Sequence, residues 1–252
     1  MSGVEFSVDA QGIGTLTIDR PAVRNALDWE AMGLFSDLID RAARAIDLRA
    51  LIVTGGGETF VSGGDLRVLE KYTRRRDGLR LAVIMGNALQ RLRALPCPTI
   101  AAINGPARGG GAEIAAACDQ RVMASGADIG FVHASLGITT AWGGARFLLQ
   151  LVGYPMALEL MATGRVLNAQ EAKEIGLVQH VVAAGEALHA ARELAGQMAR
   201  HPQQAVEAAK RLLRSAMISP LAAKHAERRL FAQLWDSEFR REAVRRFLHR
   251  KP

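Results

Sequence analysis

Two short apolar stretches, each ended by a glycine loop that leads into helical sequence, constrain this chain more than any other feature. The first is Ala50-Leu51-Ile52-Val53-Thr54, closed by Gly55-Gly56-Gly57 and followed by Phe60-Val61-Ser62-Gly63-Gly64-Asp65-Leu66. The second is Thr99-Ile100-Ala101-Ala102-Ile103, followed by a loop that ends in Gly109-Gly110-Gly111-Ala112-Glu113. Apolar runs of this length, bounded by turn residues, read as strands covered on both faces. Glycines between a strand and a helix let a ligand approach the backbone and leave helix N-terminal N–H groups without partners. Those groups, with the helix dipole, suit a developing oxyanion. Neither loop is a dinucleotide fingerprint or a phosphate loop, because no G-x-G-x-x-G follows a strand and no G-K-[ST] occurs.

The rest of the chain fits the same alternation. Residues 4–8 and 15–18 repeat with period 2 around Gly12 and Gly14, which predicts a hairpin. Asp28 is placed to cap a helix carrying Met32, Phe35, Leu38, Ile39, Ala42 and Ile46 on one face. A second long helix is expected over 79–95, stopped by Pro96 and Pro98, and a shorter one over 112–118. Further strands are expected at 121–124 and 177–182. Strand–loop–helix alternation argues for an α/β fold whose site lies in loops at one end of the strands. From about Gly185 every segment reads as helix, over 187–200, 203–217, 221–235 and 238–249. The expected organisation is a core over 1–185 and a helical oligomerisation or lid region over 186–252.

Composition narrows the function classes. With 252 residues, 49% of them hydrophobic, the chain can build a large core and does not read as disordered. No apolar run approaches the roughly 18 residues that a membrane helix needs. The first ten residues carry Glu5 and Asp9 and lack a basic start, so the expected address is cytoplasmic. The 2 Cys form no metal-spaced pair and the 6 His are scattered without H-E-x-x-H, so no metal site is expected. A formal charge of +7 suits an anionic partner without choosing one.

Taken together, several motifs resemble the enoyl-CoA hydratase/isomerase (crotonase) superfamily, and the likeness runs along nearly the whole chain. Arg20-Pro21 with Asn25-Ala26-Leu27 is similar to the family's early R-P…N-A-L segment, Phe60 to Leu66 to its F-x-A-G-A-D-L loop, and Ala101 to Glu113 to its glycine-rich stretch. Gly164, Ala169 to Ala172 and Gly176-Leu177-Val178 match a later run. The resemblance implies a spiral of ββα units, self-association as a trimer or dimer of trimers through the C-terminal helices, and acyl-CoA substrates. It implies no permanently bound cofactor, since coenzyme A arrives as part of the thioester. Carried over by position, the backbone N–H groups of Gly64 and Gly110 would form the oxyanion hole, and Glu113 would be the first catalytic glutamate. Arg24, Ala26, Ser62, Asp65 and Leu66 fall where the family binds the CoA adenine and pantetheine arm. Residues 247–252 resemble a tail that reaches a neighbouring subunit's CoA phosphates.

One departure bears on the reaction. Hydratases of this family carry a second glutamate about twenty residues after the first, and here His133 takes that place. No Asp or Glu occurs between Asp128 and Glu159, so the two-carboxylate machinery for adding water is incomplete. Phe131-Val132-His133, Gly137-Ile138, Trp142-Gly143-Gly144 and Ala117-Cys118-Asp119 resemble the subgroup that decarboxylates ethylmalonyl- and methylmalonyl-CoA. The expected reaction is therefore loss of CO2 from a 2-carboxyacyl-CoA, with Glu113 and His133 supplying the proton and Trp142 at the substrate. Arg108, unusual beside the glycines, could take the substrate carboxylate, contact a CoA phosphate or face outward. The alternative is a hydratase or isomerase working with Glu113 alone. An RNA-binding role for the basic run at 71–76 is disfavoured because aromatic residues are only 5% of the chain. A serine hydrolase built on Ser62 or Ser135 lacks the G-x-S-x-G elbow.

Overall fold

In a computed structural model of the chain, residues 3–218, 229–231 and 238 are described. The N-terminal hairpin forms from strands β1 (Val4–Val8) and β2 (Ile13–Ile18), antiparallel with Val4 opposite Ile18. Asp9 turns it, its carboxylate accepting the Gln11 and Ile13 N–H groups at 2.8 and 3.0 Å. Helix α1 (Trp29–Arg44) is capped by Asp28, whose side chain accepts the Ala31 N–H at 2.9 Å. It buries Met32, Phe35, Ile39 and Ala42, but not Ile46. The helix ends at Arg44, Ala45 turns extended, and Ile46 is 88% exposed.

Strand β3 (Ala50–Gly55) is buried at every residue, as expected of a strand covered on both faces. A single helical turn, α2 (Leu66–Leu69), and the long α3 (Arg75–Ala94) lead to β4 (Thr99–Ile103), also buried throughout. Helix α3 begins four residues before the sequence reading placed it and stops ahead of Pro96 as expected. A two-residue strand, β5 (Ala107–Arg108), precedes α4 (Gly110–Ala117), an alanine-rich helix buried on all sides. Then come β6 (Gln120–Ala124), β7 (Asp128–Gly130), α5 (Gly144–Thr163), β8 (Val166–Asn168), α6 (Ala169–Glu174), β9 (His180–Val182), α7 (Ala187–Ala199) and α8 (Gln203–Ile218). Helix α5 breaks at Gly153 (φ 74°), just ahead of Pro155.

The strands form a six-stranded sheet in the order β1-β2-β3-β4-β6-β9, parallel except for the first pair, and a three-stranded sheet β5-β7-β8. Strand β9 is shorter than the expected 177–182, because Leu177 and Val178 are buried in the turn leading to it. The helical region expected from 186 onward divides by packing. Helix α7 lays a stripe of Ala187, Ala191 and Ala195 into the main core, whereas Ala208 of α8 packs with Leu230 and Leu212 in a separate cluster. The helices expected over 221–235 and 238–249 lie outside the described residues, apart from 229–231 and 238, which are helical; the tail at 247–252 lies outside them too. No described helix is long and apolar enough to cross a membrane.

Candidate active site

The first glycine loop, after β3, is stitched to residues 24–27. Asn25 is fully buried with a left-handed φ of 57°, and its amide donates to the carbonyls of Gly56, Thr59 and Phe60 at 2.9, 2.6 and 3.2 Å. Its oxygen accepts the Arg20 N–H at 2.7 Å. Arg24 is exposed, and its carbonyl accepts the Ser62 N–H at 3.2 Å. Leu27 donates to Gly63 O at 2.8 Å and accepts from Asp65 N at 2.9 Å. Because Leu27 uses the groups on either side of Gly64, the Gly64 N–H turns away, and no partner for it occurs among the described residues. Ala26 and Asp65 are buried, Asp65 capping α2, while Leu66 is 56% exposed.

The second loop, after β4, lies directly against the first. Arg108 N donates to Val61 O at 3.0 Å, and Gly109 N to Gly130 O at 2.9 Å. A Cβ on Gly111 would sit 1.8 Å from Val61 O, so only glycine permits this approach. A Cβ on Gly63, whose φ is 95°, would lie 3.1 Å from Gly110 N. Gly110 opens α4, and its N–H likewise has no partner among the described residues. Two touching loops thus each present a backbone donor, the Gly64 and the Gly110 N–H, without a partner among the described residues.

Glu113, in the first turn of α4, is almost completely buried. Its Oε2 accepts Trp142 N and Gly144 N at 2.9 and 2.7 Å. Its Oε1 lies 3.0 Å from His133 Nε2 and 3.4 Å from Ala141 N. His133 stands in a short 3-10 turn (Val132–Leu136) just after β7, and its Nδ1 is buried with no hydrogen-bond partner among the described residues. An unpartnered buried polar atom costs about 1–3 kcal/mol, so this ring nitrogen calls for a reason. The Trp142 ring covers Gly110: a Cβ there would come within 2.1 Å of it.

Arg108 does not join this group. Its guanidinium grips Asp128 with two bonds of 2.6 and 2.5 Å, pinning β5 to β7, so the expected hold on a substrate carboxylate or CoA phosphate finds both terminal nitrogens engaged. The structure thus brings Gly64, Gly110, Glu113, His133 and Trp142 into one neighbourhood. Ala26, Ser62, Asp65 and Leu66 line the first loop, with Arg24 exposed at its edge. Sequence reasoning missed the donors of Ala141, Trp142 and Gly144, because main-chain N–H groups have no residue signature. Only Gly144 hinted at them: a Cβ there would fall 2.5 Å from Glu113 Cγ.

The basic run at 71–76 lines a separate hollow of about 710 Å3 beside α3, where Arg80 stacks 4.6 Å over the Trp29 ring. Among the described residues, no cluster of His, Cys, Asp and Glu could hold a metal.

The chain is similar to known proteins along nearly its whole length. The enoyl-CoA hydratase/isomerase family model matches residues 9–252. Ethylmalonyl-CoA decarboxylase of Gallus gallus is 32% identical over 247 residues, covering 96% of this chain and 83% of that protein. Short-chain-enoyl-CoA hydratase of Clostridium acetobutylicum is 33% identical over 241 residues, covering 95% of this chain and 92% of that one. The crystal structure of enoyl-CoA hydratase from Bacillus anthracis superposes with a TM-score of 0.92 at 28% identity, covering 97% of this chain and 95% of that chain. With its paired glycine loops and buried Glu113, the chain belongs to the enoyl-CoA hydratase/isomerase family and is an acyl-CoA enzyme of the crotonase fold.

Proposed function

We propose that this enzyme decarboxylates a 2-carboxyacyl-CoA, such as methylmalonyl- or ethylmalonyl-CoA, through a thioester enolate. The observation that carries the reading is the group opposite Glu113: an imidazole at 3.0 Å, where a water-adding enzyme needs a second carboxylate. Loss of CO2 generates the enolate directly, so it needs the oxyanion donors and one proton but no strong base at the α-carbon. The free N–H groups of Gly64 and Gly110 are the proposed donors to the thioester oxygen, and the Glu113–His133 pair the proposed source of the proton. Ala26, Ser62, Asp65 and Leu66, with Arg24 at the edge, are the proposed seat of the CoA arm. Trp142, buried with its ring over Gly110, is the proposed wall of the acyl side, where it would favour quenching by a protein group over solvent.

The relative named as a short-chain hydratase supports the competing reading, hydration with Glu113 alone. Product analysis by mass spectrometry on crotonyl-, methylmalonyl- and ethylmalonyl-CoA separates the two. CO2 release from either malonyl substrate, with little water added to crotonyl-CoA, is expected; fast hydration without CO2 release would replace this reading. A trimer-based assembly belongs to the same proposal, supported by Leu149, Tyr154 and Leu158 of α5 and Leu213 and Met217 of α8, all exposed in the single chain.

A further inference from the structure

We infer that the Glu113–His133 pair has a fixed division of labour, in which His133 Nδ1 meets the substrate and Glu113 is a positioning residue that holds the ring. For its substrate the inference rests on the enolate reading above; for its geometry it rests on hydrogen bonds alone. A carboxylate has about four lone-pair positions. Those of Glu113 are taken: Trp142 N and Gly144 N on Oε2, His133 Nε2 and Ala141 N on Oε1. The carboxylate also lies close against Gly144, where a Cβ would be 2.7 Å from Oε2. Glu113 therefore has no free position from which to give or take a proton on substrate.

His133 is in the opposite state. With two backbone donors holding Oε2 and the ring facing Oε1, the carboxylate acts as acceptor, so Nε2 carries the hydrogen between them. Nδ1 is the remaining ring nitrogen, buried and unpartnered among the described residues. Glu113 is the charged group that the described residues bring into hydrogen bonding with this ring. The ring also lies at the oxyanion loop, since a Cβ on Gly109, the residue before the Gly110 donor, would be 3.8 Å from Nε2.

The reaction then balances as follows. The bond between C2 and the carboxylate breaks, its electron pair enters the thioester enolate, and CO2 leaves. The enolate reforms the carbonyl as C2 takes the proton from Nδ1 of the imidazolium. The ring is left neutral with its hydrogen on Nε2, and water reprotonates Nδ1 after product departs. Throughout the cycle Nε2 stays bonded to Glu113.

NMR of protein labelled with 15N-histidine tests the assignment without relying on turnover. In its neutral form the His133 ring is expected to show a protonated Nε2 and a bare, pyridine-like Nδ1. The signal is assigned by its loss in His133→Gln. A neutral ring with hydrogen on Nδ1 would overturn the inference. Glu113→Gln is expected to shift the ring toward the other tautomer, because the amide can present N–H to Nε2; a purely structural glutamate would leave the tautomer alone. In D2O with methylmalonyl-CoA, His133→Gln should turn single-handed deuterium at C2 of the product into a mixture. Glu113→Gln should lower kcat about 100-fold with KM little changed and the handedness kept. Scrambling by Glu113→Gln with handedness kept in His133→Gln would reverse the roles. Absence of CO2 release in the unmodified enzyme would remove the decarboxylase reading, while the tautomer measurement would still decide this inference.

Discussion

Under the proposed oxyanion role, Gly110 carries two demands at one residue: an N–H left unpaired and a Cα under the Trp142 ring. Gly110→Ala keeps the N–H but drives a methyl to within 2.1 Å of that ring, so loop or indole must move. A displacement of about an ångström at a reacting centre costs roughly 100-fold. A fall of that size in kcat, with the thermal midpoint nearly unchanged, is expected. The two thiols make a second case at this scale. Burial pushes Cys97 up to about 11 and Cys118 up to about 12, so thiolate is scarce at pH 8. Iodoacetamide should leave both untouched in the native enzyme and label both in urea, as read by intact mass. Legibility at this scale follows chemistry. Glu113 and His133 stand out in the sequence because their types are rare among alanines and glycines. The part played by Asn25 does not, since its three carbonyl partners lie more than thirty positions away and carry no side-chain signal.

Helix α4 is held at both ends by different means. Its N-terminus leaves the Gly110 N–H without a partner among the described residues, while its C-terminus is closed by Arg121, a guanidinium buried as deeply as the apolar residues around it. Nη1 donates to Ala115 O and Cys118 O at 3.3 and 2.7 Å, and Nε to Leu177 O at 2.6 Å. Nη2 reaches Gln179 Oε1 at 3.0 Å. Burial lowers its pKa to about 10, which leaves it charged at neutral pH against the negative end of the helix dipole. Arg121→Met keeps most of the volume but leaves the Cys118 and Leu177 carbonyls without a partner among the described residues, at about 1–3 kcal/mol each. A loss of roughly 3 kcal/mol or more in urea-unfolding free energy is expected. Elements with a period or a stop signal, such as the hairpin, α1 and the buried β3 and β4, are legible in the sequence. Strands β7 and β8 are not, because three residues are too few to show a period. Helix α5 is equally hard to read, since Gly153 and Pro155 interrupt a pattern that tertiary packing then continues.

For the whole molecule, the exposed apolar residues of α5 and α8 set an expectation about mass in solution. Under the proposed assembly, light scattering at micromolar concentration should report a multiple of three chains, and a monomer of 27.1 kDa would refute it. Helix α7 has a different consequence, one of timing. Its alanine stripe lies across strands β3, β4 and β6, so the central sheet is finished only when residues 187–199 arrive. Those residues leave the ribosome after every loop from Arg24 to Gly144 that shapes the site. A nascent chain halted near 185 carries all of its chemistry on a sheet whose apolar face is still wet, where chaperones compete with closure. Enlarging Ala191 would prolong that exposure without touching a catalytic atom, so the yield of enzyme depends on a helix far from the reaction.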